Sequence, residues 1–151
     1  RIIPDSVEAC SKNEVIHVRN PYSIRPYQHV LEPLSAYLWI IFRQDSDHSL
    51  ADCYNVGPNE DDCVTTGKLV SLFCEAWGEG AKWETKAEKN AVHEANFLKL
   101  DCSKIKSRLG WYPIWNIDNA VYNTVEWSKA WLAGENVFNV MARQIKKYFG
   151  F

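Results

Sequence analysis

Hydrophobic positions fall into blocks of helical period, separated by short alternating or proline-bearing runs. Ile3, Val7 and Cys10 share one face of a helix predicted over Ile3–Lys12, with Pro4 tolerated in its first turn and Asn13 as a stop. Glu14–Val18 alternates and predicts a strand. Arg19–Tyr37 is non-periodic and rich in proline, and it feeds an apolar segment that predicts a helix over Glu32–Arg43. Gln44–Ala51 is polar and predicts a loop. Cys53–Gly57 predicts a short strand that stops at the Gly57-Pro58-Asn59 turn signal.

In the next block Thr65 or Thr66 caps a helix whose stripe is Val64, Leu69, Leu72, Phe73, Ala76 and Trp77, ended by Gly78 and Gly80. Ala81–Glu84 predicts a strand, Thr85–Glu94 a charged loop, and Asn96–Leu100 a further strand-like run. Asp101 and Ser103 offer cap oxygens to a helix over Lys104–Leu109, stopped by Gly110, and Trp111–Trp115 connects onward. Asp118 caps a long helix bearing Ala120, Val121, Thr124, Val125, Trp127 and Trp131, which Gly134 breaks. Asn136–Phe151 closes the chain with Val137, Val140, Met141, Ile145 and Tyr148 at helical spacing. Helices alternating with a few short strands predict a small α+β domain.

Within the proline-rich run, Pro21 and Pro26 push Asn20 and Arg25 toward extended backbone. Arg25 then sits on a short extended piece leading into a helix. An arginine held there presents a planar fork of donors that matches phosphate oxygens. On spacing alone, a surface ion pair with Glu32 or Asp5 is the simpler reading.

Composition narrows the function classes. A chain of 151 residues is long enough for one domain with its own core. A net charge of −2 gives no basic surface for nucleic acid. No apolar run reaches the roughly 20 residues a membrane helix needs, and Arg1-Ile2-Ile3-Pro4-Asp5 has no cleavable leader pattern. The lack of an initiator Met suggests a fragment or a processed piece. Five scattered cysteines, with no C-x-x-C pair and no matching histidine spacing, read as reduced thiols rather than a metal site. Seven tryptophans read first as packing residues, although aromatic rings also make walls for a nucleotide base. His29 and Glu32 read as helix-start residues, Glu32 favoured by the dipole. Asp101 reads as a cap, and Asn55 and Gly57 as turn-shapers. No P-loop, no glycine-rich dinucleotide turn, no G-x-S-x-G elbow and no Tyr-x-x-x-Lys pair occur.

Several segments together resemble one family. Arg1–Asp5, Arg19-Asn20-Pro21, Ile24–Leu34, Tyr54–Asn59, Trp77–Gly80, His93–Lys104 and Leu109-Gly110-Trp111 run in the order seen in CDP-glucose 4,6-dehydratases, which are extended short-chain dehydrogenase/reductases. Arg-Pro-Tyr-Gln-His-Val-Leu-Glu-Pro with His-Glu-Ala-Asn is the more specific part. The resemblance covers only that family's C-terminal, substrate-binding portion. It implies a small α+β substrate domain, here the single domain 1–151, cut from a longer enzyme whose Rossmann domain, NAD site and catalytic pair lie elsewhere. The implied parent is a cytoplasmic bacterial lyase that converts CDP-glucose to CDP-4-keto-6-deoxyglucose and water through bound NAD, on a route to lipopolysaccharide (O-antigen) deoxysugars. Dimers would form through the missing Rossmann domain.

By the same resemblance Arg25 holds the diphosphate, Arg1 and Ile2 line the nucleotide, and Arg19 and Asn20 lie near the base. His93 and Glu94 stand where related enzymes place a second phosphate-binding arginine. No catalytic residue and no metal ligand is expected in this chain. Two alternatives stay open: the substrate domain of another nucleotide-sugar dehydratase or epimerase, and a non-catalytic binding module.

Overall fold

A computed structural model describes residues 1–86 and 97–151. Helix α1 (Ile2–Ser11) ends where Asn13 takes a positive φ of 56°, a conformation asparagine tolerates better than most residues. The chain then returns as β1 (Ile16–Val18), makes a turn, and continues as β2 (Ile24–Arg25) into α2 (Leu31–Ser46). A short 3-10 turn (His48–Leu50), an extended run and a second 3-10 turn (Glu60–Asp62) lead to β3 (Val64–Thr65) and α3 (Thr66–Trp77). After β4 (Trp83–Thr85) and the Phe97 region come α4 (Ser103–Leu109), α5 (Ile117–Leu132) and α6 (Val137–Phe149).

The sheets are minimal. β1 pairs in parallel with β4, and β2 pairs antiparallel with β3. A single parallel bridge joins Ile24 to Phe97. Two apolar clusters hold the helices. The first gathers β1 (Ile16, Val18), α3 (Val70, Phe73) and α5 (Val121, Val125) under α1. The second packs α2 on α4 through Ala36, Ile105, Leu109 and Trp111. Trp39 Nε1 and Arg43 Nη1 both donate to Leu109 O, at 2.7 and 2.9 Å. Gly110 then takes φ 67° to let the chain leave α4, a left-handed backbone that glycine adopts without a Cβ penalty. No helix among the described residues is long and apolar enough to cross a membrane.

The α+β reading holds, and so do the helices expected over 3–12, 32–43, 66–77, 104–109, 118–133 and 136–151, the last observed as Val137–Phe149. Four local expectations need correction. Gln44–Ala51 is not a plain loop: α2 runs on to Ser46, and Asp47 then caps the 3-10 turn by accepting from Ser49 N at 2.9 Å. The cap of α5 is Asn116, not Asp118; its Oδ1 accepts from Asn119 N at 2.9 Å. Trp111 and Trp115 are buried, but Trp127 is only partly so and Trp131 is exposed. They lie to one side of the buried α5 stripe and stack on each other with centroids 6.3 Å apart. Cys53–Gly57 forms no strand, because no described segment pairs with it.

Candidate functional site

The predicted diphosphate arginine stands on β2. Its strand is flanked by β3, with Arg25 opposite Val64, and by the Phe97 bridge. Leu98 N donates to Ile24 O at 3.1 Å, and Arg25 Nη1 donates to the same oxygen at 2.9 Å. Of the two carboxylates weighed as partners for Arg25, Asp5 instead faces Arg1 at 4.0 Å and Glu32 is engaged elsewhere.

The turn between β1 and β2 brings Arg19, Asn20 and Arg25 onto one short segment. Ser23 Oγ donates to Asn20 O at 3.1 Å and closes the turn. The turn is pinned to the start of α3: Gly67 N donates to Pro21 O at 2.8 Å and Thr66 N to Ser23 O at 2.9 Å. A Cβ on Gly67 would meet Pro21 O, Pro21 Cβ and Trp83 Cη2 at 3.2 Å each, so a side chain there would push these neighbours back by a few tenths of an ångström. The Thr66 hydroxyl joins Ser23 Oγ and Tyr27 OH, both at 2.8 Å. With Thr65 Oγ1 accepting from Lys68 N at 3.1 Å, the first N–H groups of α3 already have partners. The start of α3 therefore has no spare N–H to offer an anion at this turn.

The other predicted residues lie apart. Arg1 and Ile2 belong to the first turn of α1, with Ile2 packed against the first cluster and Arg1 exposed. His93 and Glu94 lie outside the described residues. Tyr22 and Phe97, not singled out beforehand, are exposed beside the turn. Their positions depend on the Pro21 contact to α3 and the Ile24 bridge, which no local pattern signals.

Beyond Arg25 the chain enters α2 through two polar residues with opposite fates. The His29 Nδ1 accepts from Leu31 N at 3.3 Å while its ring stands edge-on to Trp115 at 4.8 Å. Burial pushes its pKa down to about 4, so the ring is neutral near pH 7. That agrees with a structural histidine at a helix start. Gln28 Nε2 donates to Val56 O at 3.1 Å, but its buried Oε1 has no donor among the described residues. Both line an apolar cavity of about 560 Å³ with Leu34, Trp127 and Gln144. Among the described residues no cationic side chain lines this cavity, so it does not suit a diphosphate.

Glu32 differs most from expectation. It is 1 % exposed, and its carboxylate accepts from Trp115 N at 2.7 Å, Ile114 N at 3.1 Å and Tyr148 OH at 2.7 Å. Ser35 Oγ sits 2.9 Å from the same phenol and accepts from Trp111 Nε1 at 3.1 Å. Burial, aided by the neighbouring carboxylate, pushes the Tyr148 phenol well above its ordinary range. Glu32 is thus the knot tying α2, the 111–115 connector and α6, and not merely a dipole-favoured residue. Asp101 is not the N-cap of α4, which is Cys102 with no side-chain cap bond; from one residue earlier Asp101 accepts from Ser103 N at 2.9 Å, and hydrogen bonds from the Ser103 side chain and backbone lower its pKa.

These residues offer NAD no cradle. The parallel pairings among the described residues are β1–β4 and the Ile24 bridge, and neither β1 nor β4 is followed in sequence by a glycine-rich turn.

The chain is 40% identical over 149 residues, 98% of its length, to the CDP-glucose 4,6-dehydratase of Salmonella typhimurium. It spans 41% of that relative. The structure superposes on dTDP-glucose 4,6-dehydratase from Bacillus anthracis, solved with NAD, with TM-score 0.69, 18% identity and coverage of 85% of this chain and 39% of that one. UDP-glucuronic acid 4-epimerase from Bacillus cereus, solved with NAD and a fluorinated UDP-sugar, gives TM-score 0.70 at 10% identity over 87% and 40%. This is the fold of the C-terminal part of an extended short-chain dehydrogenase/reductase. No family model matches the chain. The chain brings no glycine-rich dinucleotide turn in its own sequence.

Proposed function

We propose that residues 1–151 form the sugar-nucleotide-binding domain of a longer, cytoplasmic, NAD-dependent CDP-glucose 4,6-dehydratase. The observation that carries this reading is the 40% identity to the Salmonella enzyme along nearly the whole chain. The hydride carrier and the catalytic pair then lie on the remainder of the polypeptide, and this chain supplies grip and orientation. Arg25 meets the diphosphate bridge, its strand stiffened by Pro26 and held on both sides. Arg19 and Asn20 face the base, where polar edges separate cytosine from uracil by donor and acceptor pattern. Tyr22 and Phe97 add exposed ring faces beside them. Arg1 and Ile2 border the nucleotide, and His93 and Glu94 take the place of a second phosphate-binding cation. Homodimers of the parent would form through the part outside this chain.

Isothermal calorimetry of this chain tests the reading. CDP and CDP-glucose should bind weakly, in preference to UDP, dTDP and GDP sugars, and Arg25→Ala should remove the binding. A preference for another nucleotide sugar would move the chain to a different dehydratase or epimerase. Equal heats for CDP and free phosphate would end the case for a nucleotide site.

A further inference from the structure

We infer that Ser23 is a positioning residue for base selection: its buried hydroxyl holds the Asn20 carbonyl, and the Thr66 hydroxyl fixes which way the Ser23 proton points. The inference rests on the reading above that Arg19 and Asn20 face the base, and it adds the groups that hold Asn20 there. Three hydroxyls meet between the 19–25 turn and the start of α3. Ser23 Oγ lies 3.1 Å from Asn20 O and 2.8 Å from Thr66 Oγ1, and Tyr27 OH lies 2.8 Å from the same Thr66 oxygen. Ser23 is 3 % exposed and Thr66 8 %, so these hydroxyls depend on one another rather than on water.

Counting protons gives the cluster a direction. Each hydroxyl has a single proton to donate. A carbonyl only accepts, so the proton between Ser23 and Asn20 O is that of Ser23. Thr66 must then donate across the Ser23–Thr66 contact, and Tyr27 across the Thr66–Tyr27 contact. The hydrogen bonds run one way, from Tyr27 OH to Thr66 Oγ1, on to Ser23 Oγ, and finally to Asn20 O. Thr66 Oγ1 also lies 3.1 Å from Ser23 O, but that carbonyl already accepts from Thr66 N at 2.9 Å.

The relay ends where base recognition begins. Asn20 O is held by Ser23, and the next carbonyl, Pro21 O, accepts from Gly67 N at 2.8 Å. Two successive peptide groups are therefore anchored, and Pro21 fixes its own φ between them. With its carbonyl engaged, Asn20 keeps its side-chain amide for the base. A site rejects a base of the wrong donor and acceptor pattern only when its own groups cannot shift to meet it. Ser23 supplies that constraint from beneath, without touching the nucleotide.

The experiment uses the polypeptide as its source makes it, in wild-type, Ser23→Ala, Thr66→Val, Thr66→Ser and Tyr27→Phe forms. Calorimetry with CDP and with UDP reads base selection, thermal unfolding reads the cost to the fold, and kinetics with CDP-glucose separates KM from kcat. Ser23→Ala should weaken CDP about tenfold and UDP less, so that the CDP-over-UDP ratio falls about threefold. KM for CDP-glucose should rise while kcat stays nearly unchanged. Thr66→Val should move the ratio the same way by less, and Thr66→Ser should restore it. Tyr27→Phe removes only the head of the relay and leaves Thr66 its acceptor, so it should lower the melting temperature and keep the ratio. A Ser23→Ala protein that melts lower but keeps the wild-type ratio overturns the inference and leaves the proposed function standing. So does a Tyr27→Phe protein that loses as much of the ratio as Ser23→Ala does. Where Ser23→Ala does not fold, an unchanged ratio in Thr66→Val overturns the inference. A wild-type protein that binds CDP and UDP equally overturns the cytidine reading of the proposed function and this inference with it.

Discussion

Replacing Glu32 by alanine is the most telling single change in this domain. The wild-type carboxylate is buried and takes three donors: Trp115 N at 2.7 Å, Ile114 N at 3.1 Å and Tyr148 OH at 2.7 Å. In Glu32→Ala the buried Trp115 N–H loses its acceptor outright. The Ile114 N–H is partly reachable by water, and the phenol keeps Ser35 Oγ at 2.9 Å. A buried donor left unmade costs about 1–3 kcal/mol, and a hydrogen bond to a charged group contributes about 1.5–3 kcal/mol. Allowing for the partners that survive, about 3–4 kcal/mol is expected. At roughly 2–4 °C per kcal/mol for a domain of this size, the melting temperature should fall by about 10 °C. Glu32→Gln keeps the volume and one carbonyl acceptor but turns an amide N–H₂ toward a donor, so its cost should be about half. Urea titration followed by tryptophan fluorescence, with the denaturant slope checked for constancy, measures both. If Glu32 acted only through the helix dipole, both variants would cost about 0.3–1 kcal/mol. A Glu32→Ala loss below about 1 kcal/mol would refute the network argument.

Three further outcomes are expected. His29 titrates in the folded state at about 4 because it is buried, against an ordinary value of 6.5. The unfolded chain therefore binds the extra proton between those values, and stability present above pH 6.5 should be lost as pH falls toward 4, with a slope approaching about 1.4 kcal/mol per pH unit. In His29→Asn, which keeps an acceptor for Leu31 N, that component of the pH profile should vanish. Gly67→Ala should cost about 1–3 kcal/mol by forcing a Cβ against Pro21 O, and should weaken CDP binding by displacing the Arg19–Arg25 turn; an unchanged melting temperature would contradict the contact. Tyr148→Phe should cost about 1 kcal/mol, and a double cycle with Glu32→Ala should show non-additive coupling.

The sequence by itself determined what local forces control. The helical character of α1, the Thr65 cap of α3 and the Gly110 stop of α4 follow from helical period and capping chemistry. The extended piece bearing Arg25 follows from the prolines around it, and the family resemblance from motif order. Tertiary structure decided what depends on distant partners. Whether Cys53–Gly57 becomes a strand rests on a neighbour to hydrogen-bond with, and its own residues cannot supply one. The role of Glu32 rests on Trp115 and Tyr148, 83 and 116 positions away, brought in by packing rather than by period. Trp127 and Trp131 fit the apolar spacing of α5, yet the groove against α1 leaves Trp131 exposed. Periodicity states which residues share a face. It does not state which faces find a partner, because burial is set by the elements that pack there.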